Sequence, residues 1–169
     1  MEIDLQVRAE ETARRLVGRL SVQKHTLALA ESCTGGLISE LITRVSGASA
    51  VLWGSFVCYS PSAKKQMLCI DGGLLDRFGL VSAETVRDMA RKALEISGAD
   101  ISAAVTGLAG PDGDGGGLPP GTVWAAVAVR RDGAVAVTEE KFFFRGLRAE
   151  VKMQAAAAVL EKITEVWNI

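Results

Sequence analysis

Leu5, Ala9, Ala13, Leu16, Val17 and Leu20, with Thr12 among them, recur at helical spacing. They predict an amphipathic first helix over about 3–22. The pattern then shortens. Leu27 to Ala30 is an apolar run of strand length, and Leu37 to Val45 reads as a helix ending before Ser46-Gly47. Val51 to Tyr59 is β-branched and aromatic, which predicts a second strand. Ser60-Pro61-Ser62 opens a short helix, because proline suits a first helical turn. Val86, Met89, Ala90, Ala93 and Leu94 define a further helix, with Ser82 as its N-cap and Gly98 as its stop. Ile101 to Thr106 is a third strand that runs into the loop GLAGPDGDGGGLPPG. Thr122 to Arg130 and Ala134 to Phe144 flank Arg131-Asp132-Gly133, where Asp-Gly predicts a hairpin. Val151, Ala155, Ala158, Val159, Ile163 and Val166 mark a final helix.

Helices interleave with the early strands and a hairpin comes late. This order predicts a three-layer α/β/α sandwich with a mixed, mostly parallel sheet of about five strands and a late β-hairpin. The 169 residues suit one domain, 1–169, with the N-terminal helix packed on it. In such sheets ligands gather outside the carboxyl ends of the parallel strands. Three loops should therefore meet: Glu31 to Gly36, Tyr59 to Lys64, and Thr106 to Gly121.

Charge narrows the function. Nineteen Lys and Arg stand against twenty Asp and Glu, for a net charge of −1, and no basic stripe follows any helix. That disfavours nucleic acid and leaves room for a small anionic ligand. Three cysteines without CxxC spacing read as reduced thiols of a cytoplasmic protein. The acidic, then amphipathic N-terminus does not resemble a signal peptide. No apolar run approaches the roughly 20 residues that cross a membrane.

The chemistry concentrates in AESCTGG, Ala30 to Gly36, between the first strand and its helix. Thr34-Gly35-Gly36 fits a phosphate or oxyanion site, and equally a capped helix whose glycines permit close packing. The Walker and dinucleotide glycine patterns are absent, as is the GxSxG elbow. Ser32 is a candidate nucleophile. The single histidine, His25, precedes the first strand, at the wrong end for a triad, so lysine is left as base and Lys64 lies in the second loop. A lysine base needs burial or a cationic neighbour to lose its proton near neutral pH. Cys33 is a rival nucleophile and also a plausible small buried filler. The SxxK patterns at Ser21–Lys24 and Ser62–Lys65 are too common to carry weight. Asp112-Gly113-Asp114-Gly115 begins like a calcium loop, but Val123 stands where its glutamate belongs. Arg148 is either an anion clamp or a solvated surface residue.

Together, AESCTGG, Gly47-Ala48-Ser49, YSPSAK (Tyr59 to Lys64), Val81-Ser82, TGLAGPDG (Thr106 to Gly113), PGTVW (Pro120 to Trp124) and RGLR (Arg145 to Arg148) resemble a known family. It is the C-terminal domain of competence/damage-inducible protein CinA, whose stand-alone members are nicotinamide-nucleotide amidohydrolases. The resemblance implies deamidation of nicotinamide mononucleotide to nicotinic acid mononucleotide and ammonia, in pyridine nucleotide recycling, with no metal or other cofactor. It assigns Ser32 as nucleophile and Lys64 as base, with Tyr59 relaying or orienting the proton. Thr34, Gly35, Gly36, Ser49, Thr106, Gly107, Gly110 and Arg148 become substrate-binding candidates. Leu147 departs from the acidic or small polar residue common in the family, and the loop from Asp112 to Leu118 is unusually rich in glycine. The longer members' N-terminal domain would not fit in a chain of this length. The expected partner is a small-molecule nucleotide, without nucleic acid or membrane, in a homo-oligomer. The competing readings are a non-catalytic nucleotide-binding regulatory module and a competence or DNA-damage factor.

Overall fold

The strand β1 (Leu27–Glu31) is buried along its whole length, because sheet neighbours flank it and helices cover both its faces. The structure, a computed structural model, describes the backbone of residues 2–168 and the side chains of residues 4–168. After α1 (Glu2–Gln23) and β1 come α2 (Leu37–Thr43), a 3₁₀ turn (Ala48–Ala50) and β2 (Leu52–Val57). Then follow α3 (Pro61–Leu68), α4 (Gly72–Phe78), α5 (Ala83–Ser97) and β3 (Ile101–Gly107). The hairpin β4 (Thr122–Arg131) and β5 (Ala134–Phe143) and the long α6 (Arg148–Trp167) complete the chain.

The sheet order is β2-β1-β3-β4-β5. β1 pairs parallel with β2 and β3, while β3–β4 and β4–β5 are antiparallel, so only β4 runs against the rest. Asp132 and Gly133 both have positive φ (50° and 79°), as a two-residue primed turn requires. The chain order makes β1/β3 a switch point: the chain leaves β1 toward β2 on one side and returns to β3 on the other.

Side-chain size decides which helix lies on which face. Leu27, Leu29, Ile101, Val105, Val123 and Val127 point to the layer of α1, α2 and α6. There Leu16 and Leu20 of α1 are fully buried, each contributing about 1.5–3 kcal/mol by area. The other face carries Ala30, Ala104, Ala126 and Ala128 under Val86, Met89 and Leu94 of α5. With such short residues α5 lies close, and the Ser102 hydroxyl donates to the Ala90 carbonyl at 2.6 Å. The Ser82 cap of α5 is observed, accepting from Thr85 N–H at 3.2 Å, and Gly98 closes the helix in the left-handed region.

The helix α4 is an addition to what the sequence pattern predicts. Its GGLLDRF opens on two glycines, and among its residues only Leu75 is buried, so it carries no helical apolar period.

Candidate active site

Three chain segments converge outside the carboxyl ends of β1, β2 and β3. The loop after β1 brings Ser32, α3 brings Lys64, and the end of β3 brings Thr106; all three line one cavity of about 530 Å³. The Ser60 hydroxyl caps α3, accepting from Ala63 N–H at 3.1 Å, and Pro61 occupies the first turn. This fixes the start of α3 so that Lys64 turns inward, where it is 2% exposed. Its Nζ lies 2.8 Å from Ser32 Oγ and donates to the Cys58 carbonyl at 3.0 Å.

No carboxylate pairs with Lys64 among the described residues. Burial therefore pushes its ammonium below the ordinary lysine range, with the neighbouring thiols pulling the other way. A neutral amine has two N–H groups and one lone pair. One N–H is held by Cys58, which leaves the lone pair to accept the Ser32 hydroxyl proton. Cys33 stays a thiol, since burial pushes it up to about 12. Cys58 is raised by burial as well.

The Cys33 and Thr34 backbone N–H groups, directly after Ser32, donate to no backbone carbonyl among the described residues; the Cys33 amide faces its own thiol, and Cys33 lines the cavity while Thr34 does not. The rest of the glycine turn differs from a phosphate cradle. Gly35 N–H donates to Ser32 C=O at 3.0 Å. The Glu31 carboxylate takes the amides of Gly36 (3.1 Å), Ile38 (3.1 Å) and Ser39 (2.9 Å) and the Thr34 hydroxyl (2.7 Å). Of the substrate-binding candidates Thr34, Gly35 and Gly36, the Thr34 hydroxyl and the Gly36 amide are thus taken by Glu31 and the Gly35 amide by the Ser32 carbonyl, and none of the three is among the residues that line the cavity. Gly36 is the residue that turns the loop into α2, at φ 98°.

Ser49, a further substrate-binding candidate, stands apart from these. It lies exposed in the 3₁₀ turn before β2, beside Thr43 and Leu52 and outside the Ser32 cavity. Gly47, with φ 88°, has by then carried the chain to the opposite, amino end of the sheet. Tyr59 lines the cavity but makes no bond to Lys64; its hydroxyl accepts from Arg148 Nη2. Arg148 also donates to the Gly110 carbonyl at 2.7 Å, so α6 and the glycine loop meet at the cavity mouth. Leu147 precedes it, 77% exposed and without a side-chain cap, and the Glu150 carboxylate accepts the Leu147 N–H in its place.

The Thr106 hydroxyl donates to Leu80 C=O at 2.8 Å, tying the wall Gly79–Val81 to β3. Gly107 lines the cavity for a packing reason of its own. A Cβ there would lie 2.7 Å from Val123 Cγ2 and 2.8 Å from Thr122 O across the β3–β4 pairing. In the glycine loop, Asp114 Oδ1 accepts from the Gly116 and Leu118 amides, both at 2.9 Å, so the carboxylate builds a turn. His25 sits at the amino end of β1, its Nδ1 3.5 Å from Asp100, remote from Ser32.

Two participants escape a reading of the sequence. The Cys58 carbonyl is backbone and leaves no mark in residue identity. Glu31 leaves one: in LALAE the acid falls in step with the buried Leu27 and Leu29, and a buried carboxylate must find partners.

A family model described as the CinA C-terminal domain matches residues 9–167. The chain belongs to the CinA C-terminal domain family. A CinA-like protein of Chlorobium limicola is 40% identical over 94% of this chain, which spans 36% of that relative's length. The nicotinamide-nucleotide amidohydrolase PncC of Enterobacter agglomerans is 38% identical, with 91% of this chain and 92% of the relative covered. Among solved CinA structures, the competence/damage inducible protein CihA of Agrobacterium tumefaciens superposes with a TM-score of 0.87. Its identity is 36%, covering 94% of this chain and 95% of that one. A CinA superfamily protein of Escherichia coli gives 0.85 at 30% identity, covering 94% and 90%. The CinA fold thus accounts for the mixed five-stranded sheet with helices on both sides. Among the described residues no helix is long and apolar enough to cross a membrane.

Proposed function

We propose that this chain is an amidohydrolase that converts nicotinamide mononucleotide and water to nicotinic acid mononucleotide and ammonia through a Ser32–Lys64 pair. The observation that carries the reading is the 2.8 Å approach of Ser32 Oγ to a lysine buried without a counter-ion. An exposed or ion-paired lysine would hold its proton and be of no use as a base. The amidohydrolase name of a relative matched over nearly its full length supports the choice of substrate.

Lys64 Nζ takes the Ser32 proton as Oγ attacks the carboxamide carbon. The carbonyl oxygen becomes an oxyanion facing the Cys33 and Thr34 amides; one such donor is commonly worth about 2.7–4 kcal/mol in the transition state. Collapse of the tetrahedral adduct breaks the C–N bond, and the Lys64 ammonium returns its proton to the leaving nitrogen, giving ammonia. Water, deprotonated by the same amine, then attacks the Ser32 ester; the C–Oγ bond breaks, the Lys64 ammonium returns its proton to Ser32 Oγ, and the product leaves as a carboxylate with its acid proton passing to solvent. The direct test incubates the protein with nicotinamide mononucleotide and measures ammonium and nicotinic acid mononucleotide together. Equal yields are expected. Binding without either product would favour the regulatory-module reading.

Arg148 supplies the phosphate contact in this reading. Two of its nitrogens are held by Gly110 and Tyr59, which orients the guanidinium at the mouth while leaving N–H groups free. A charge-assisted bond contributes roughly 1.5–3 kcal/mol, so Arg148→Ala should raise KM about tenfold to hundredfold with little change in kcat. Nicotinamide riboside is the control, since it lacks the phosphate. Equal slowing of riboside and mononucleotide would show that Arg148 is not the clamp.

A further inference from the structure

Ser32 and Lys64 come from segments with a whole strand between them, one after β1 and one in α3, yet their reacting atoms meet at 2.8 Å. Something must register the two. We infer that Glu31 is the positioning residue of the pair, acting through both its carboxylate and its main chain; the inference rests on the serine–lysine reading above.

The main chain of Glu31 holds the lysine side. Its carbonyl accepts Cys58 N–H at 2.9 Å and faces the Cys58 thiol at 3.7 Å. The Cys58 carbonyl in turn accepts Lys64 Nζ. The side chain holds the serine side. Oε2 accepts from Thr34 Oγ, Gly36 N and Ile38 N; Oε1 accepts from Ser39 N and, at 3.2 Å, from Ser55 Oγ on β2. One fully buried residue therefore ties the Ser32 loop to α2 and to β2 at once. No Lys, Arg or His pairs with it among the described residues. Its charge is balanced by backbone amides at the start of α2 and by two hydroxyls.

Catalysis follows from which donors remain. Glu31 draws the Gly36, Ile38 and Ser39 amides and the Thr34 hydroxyl inward. The Cys33 and Thr34 N–H groups, next in the chain after Ser32, are taken neither by Glu31 nor by a backbone carbonyl. If the carboxylate loosened, the loop would re-aim both the nucleophile and the oxyanion donors, though Glu31 itself touches no reacting atom.

The test compares wild type with Glu31→Gln in the full chain. Glutamine keeps the shape but sets an NH2 against one or more of these donors, a mild conflict that shifts the loop while leaving most of the bonds. Three quantities are measured: kcat and KM for nicotinamide mononucleotide, the rate at which a fluorophosphonate labels Ser32 (read by intact mass), and thermal unfolding. A displacement of about 1 Å in a reacting group costs up to about a hundredfold, so kcat and labelling should fall together by roughly tenfold to hundredfold. KM should stay within about twofold, because ground-state binding is not the term removed. A merely structural role would instead lower activity only in proportion to the folded fraction, at an unchanged rate per folded molecule. That result, or unchanged kcat and labelling in folded Glu31→Gln, overturns the inference.

Should Glu31→Gln fail to fold, Ser55→Ala removes only the β2 tether. Slower labelling there supports the inference, and an unchanged rate overturns it. The two readings separate cleanly. A wild-type protein that is labelled at Ser32 but releases no ammonia sinks deamidation and leaves Glu31 to be judged on labelling. One that shows neither sinks both.

Discussion

Replacing Ser32 by alanine will reduce ammonia release from nicotinamide mononucleotide by about 10⁴-fold or more, the scale on which single members of such catalytic units act. The fold should persist, since Ser32 contributes one hydroxyl at a cavity wall and its backbone N–H still donates to Val105 C=O. Cys33→Ala should by contrast keep most of the activity. Cys33 adjoins Ser32 and lines the same cavity, so position alone does not separate them. Ionisation does. With its pKa pushed up to about 12 by burial, Cys33 offers only about one thiolate in ten thousand molecules at pH 8. The hydroxyl of Ser32 needs no prior ionisation, because Lys64 accepts its proton during attack. Steady-state assays of the two variants decide the matter. An inactive Cys33→Ala beside an active Ser32→Ala would reverse the assignment.

How much of this was legible depends on whether side chain or backbone carries the information. The helix α5 is readable in full, because its apolar stripe, its serine cap and its glycine stop all agree. The β4–β5 hairpin is readable because Asp132-Gly133 accepts the positive φ values that the turn demands. The Ser32–Lys64 pairing is half legible: both residues stand in loops that the sheet order should bring together, but a separation of 32 residues specifies no distance. The surroundings of Thr34, Gly35 and Gly36 are not legible, for a physical reason. A glycine turn before a helix looks the same whether its amides face a ligand or the chain itself, and here Glu31 takes the Gly36 amide and the Ser32 carbonyl the Gly35 amide. The place of Ser49 is not legible either, because it depends on where the 3₁₀ turn leaves the chain, at the amino end of β2. Tyr59 is read correctly into the cavity, while its partner is set by the packing of α6, which no local pattern encodes.

Lys64→Met will lower kcat by about 10²–10⁴-fold, the usual contribution of a positioned base, and leave KM nearly unchanged. Methionine keeps the length and apolar stem of the buried side chain, so lost chemistry is not confounded with a cavity. In the wild type, kcat should rise with pH through the lowered Lys64 pKa and then level off, as the amine gains its lone pair. The same shift makes a claim about stability whose sign is determined. The folded-state pKa lies below the ordinary 10.5 of an unfolded lysine. Between those two values the unfolded chain binds more protons than the native one, so wild-type stability must rise with pH across that window. Below the folded pKa the full cost of burying a charged amine is present; above 10.5 it is gone. Methionine carries no such cost, and its loss of the Ser32 and Cys58 hydrogen bonds is a constant offset. The Tm of Lys64→Met relative to wild type should therefore be highest and level below the folded pKa, and decline between that value and 10.5. Thermal unfolding of both proteins across that range measures the difference. A gap that is flat, or that widens with pH, would mean that Lys64 is not held as a destabilised cation, and the base would have to be sought elsewhere in the cavity.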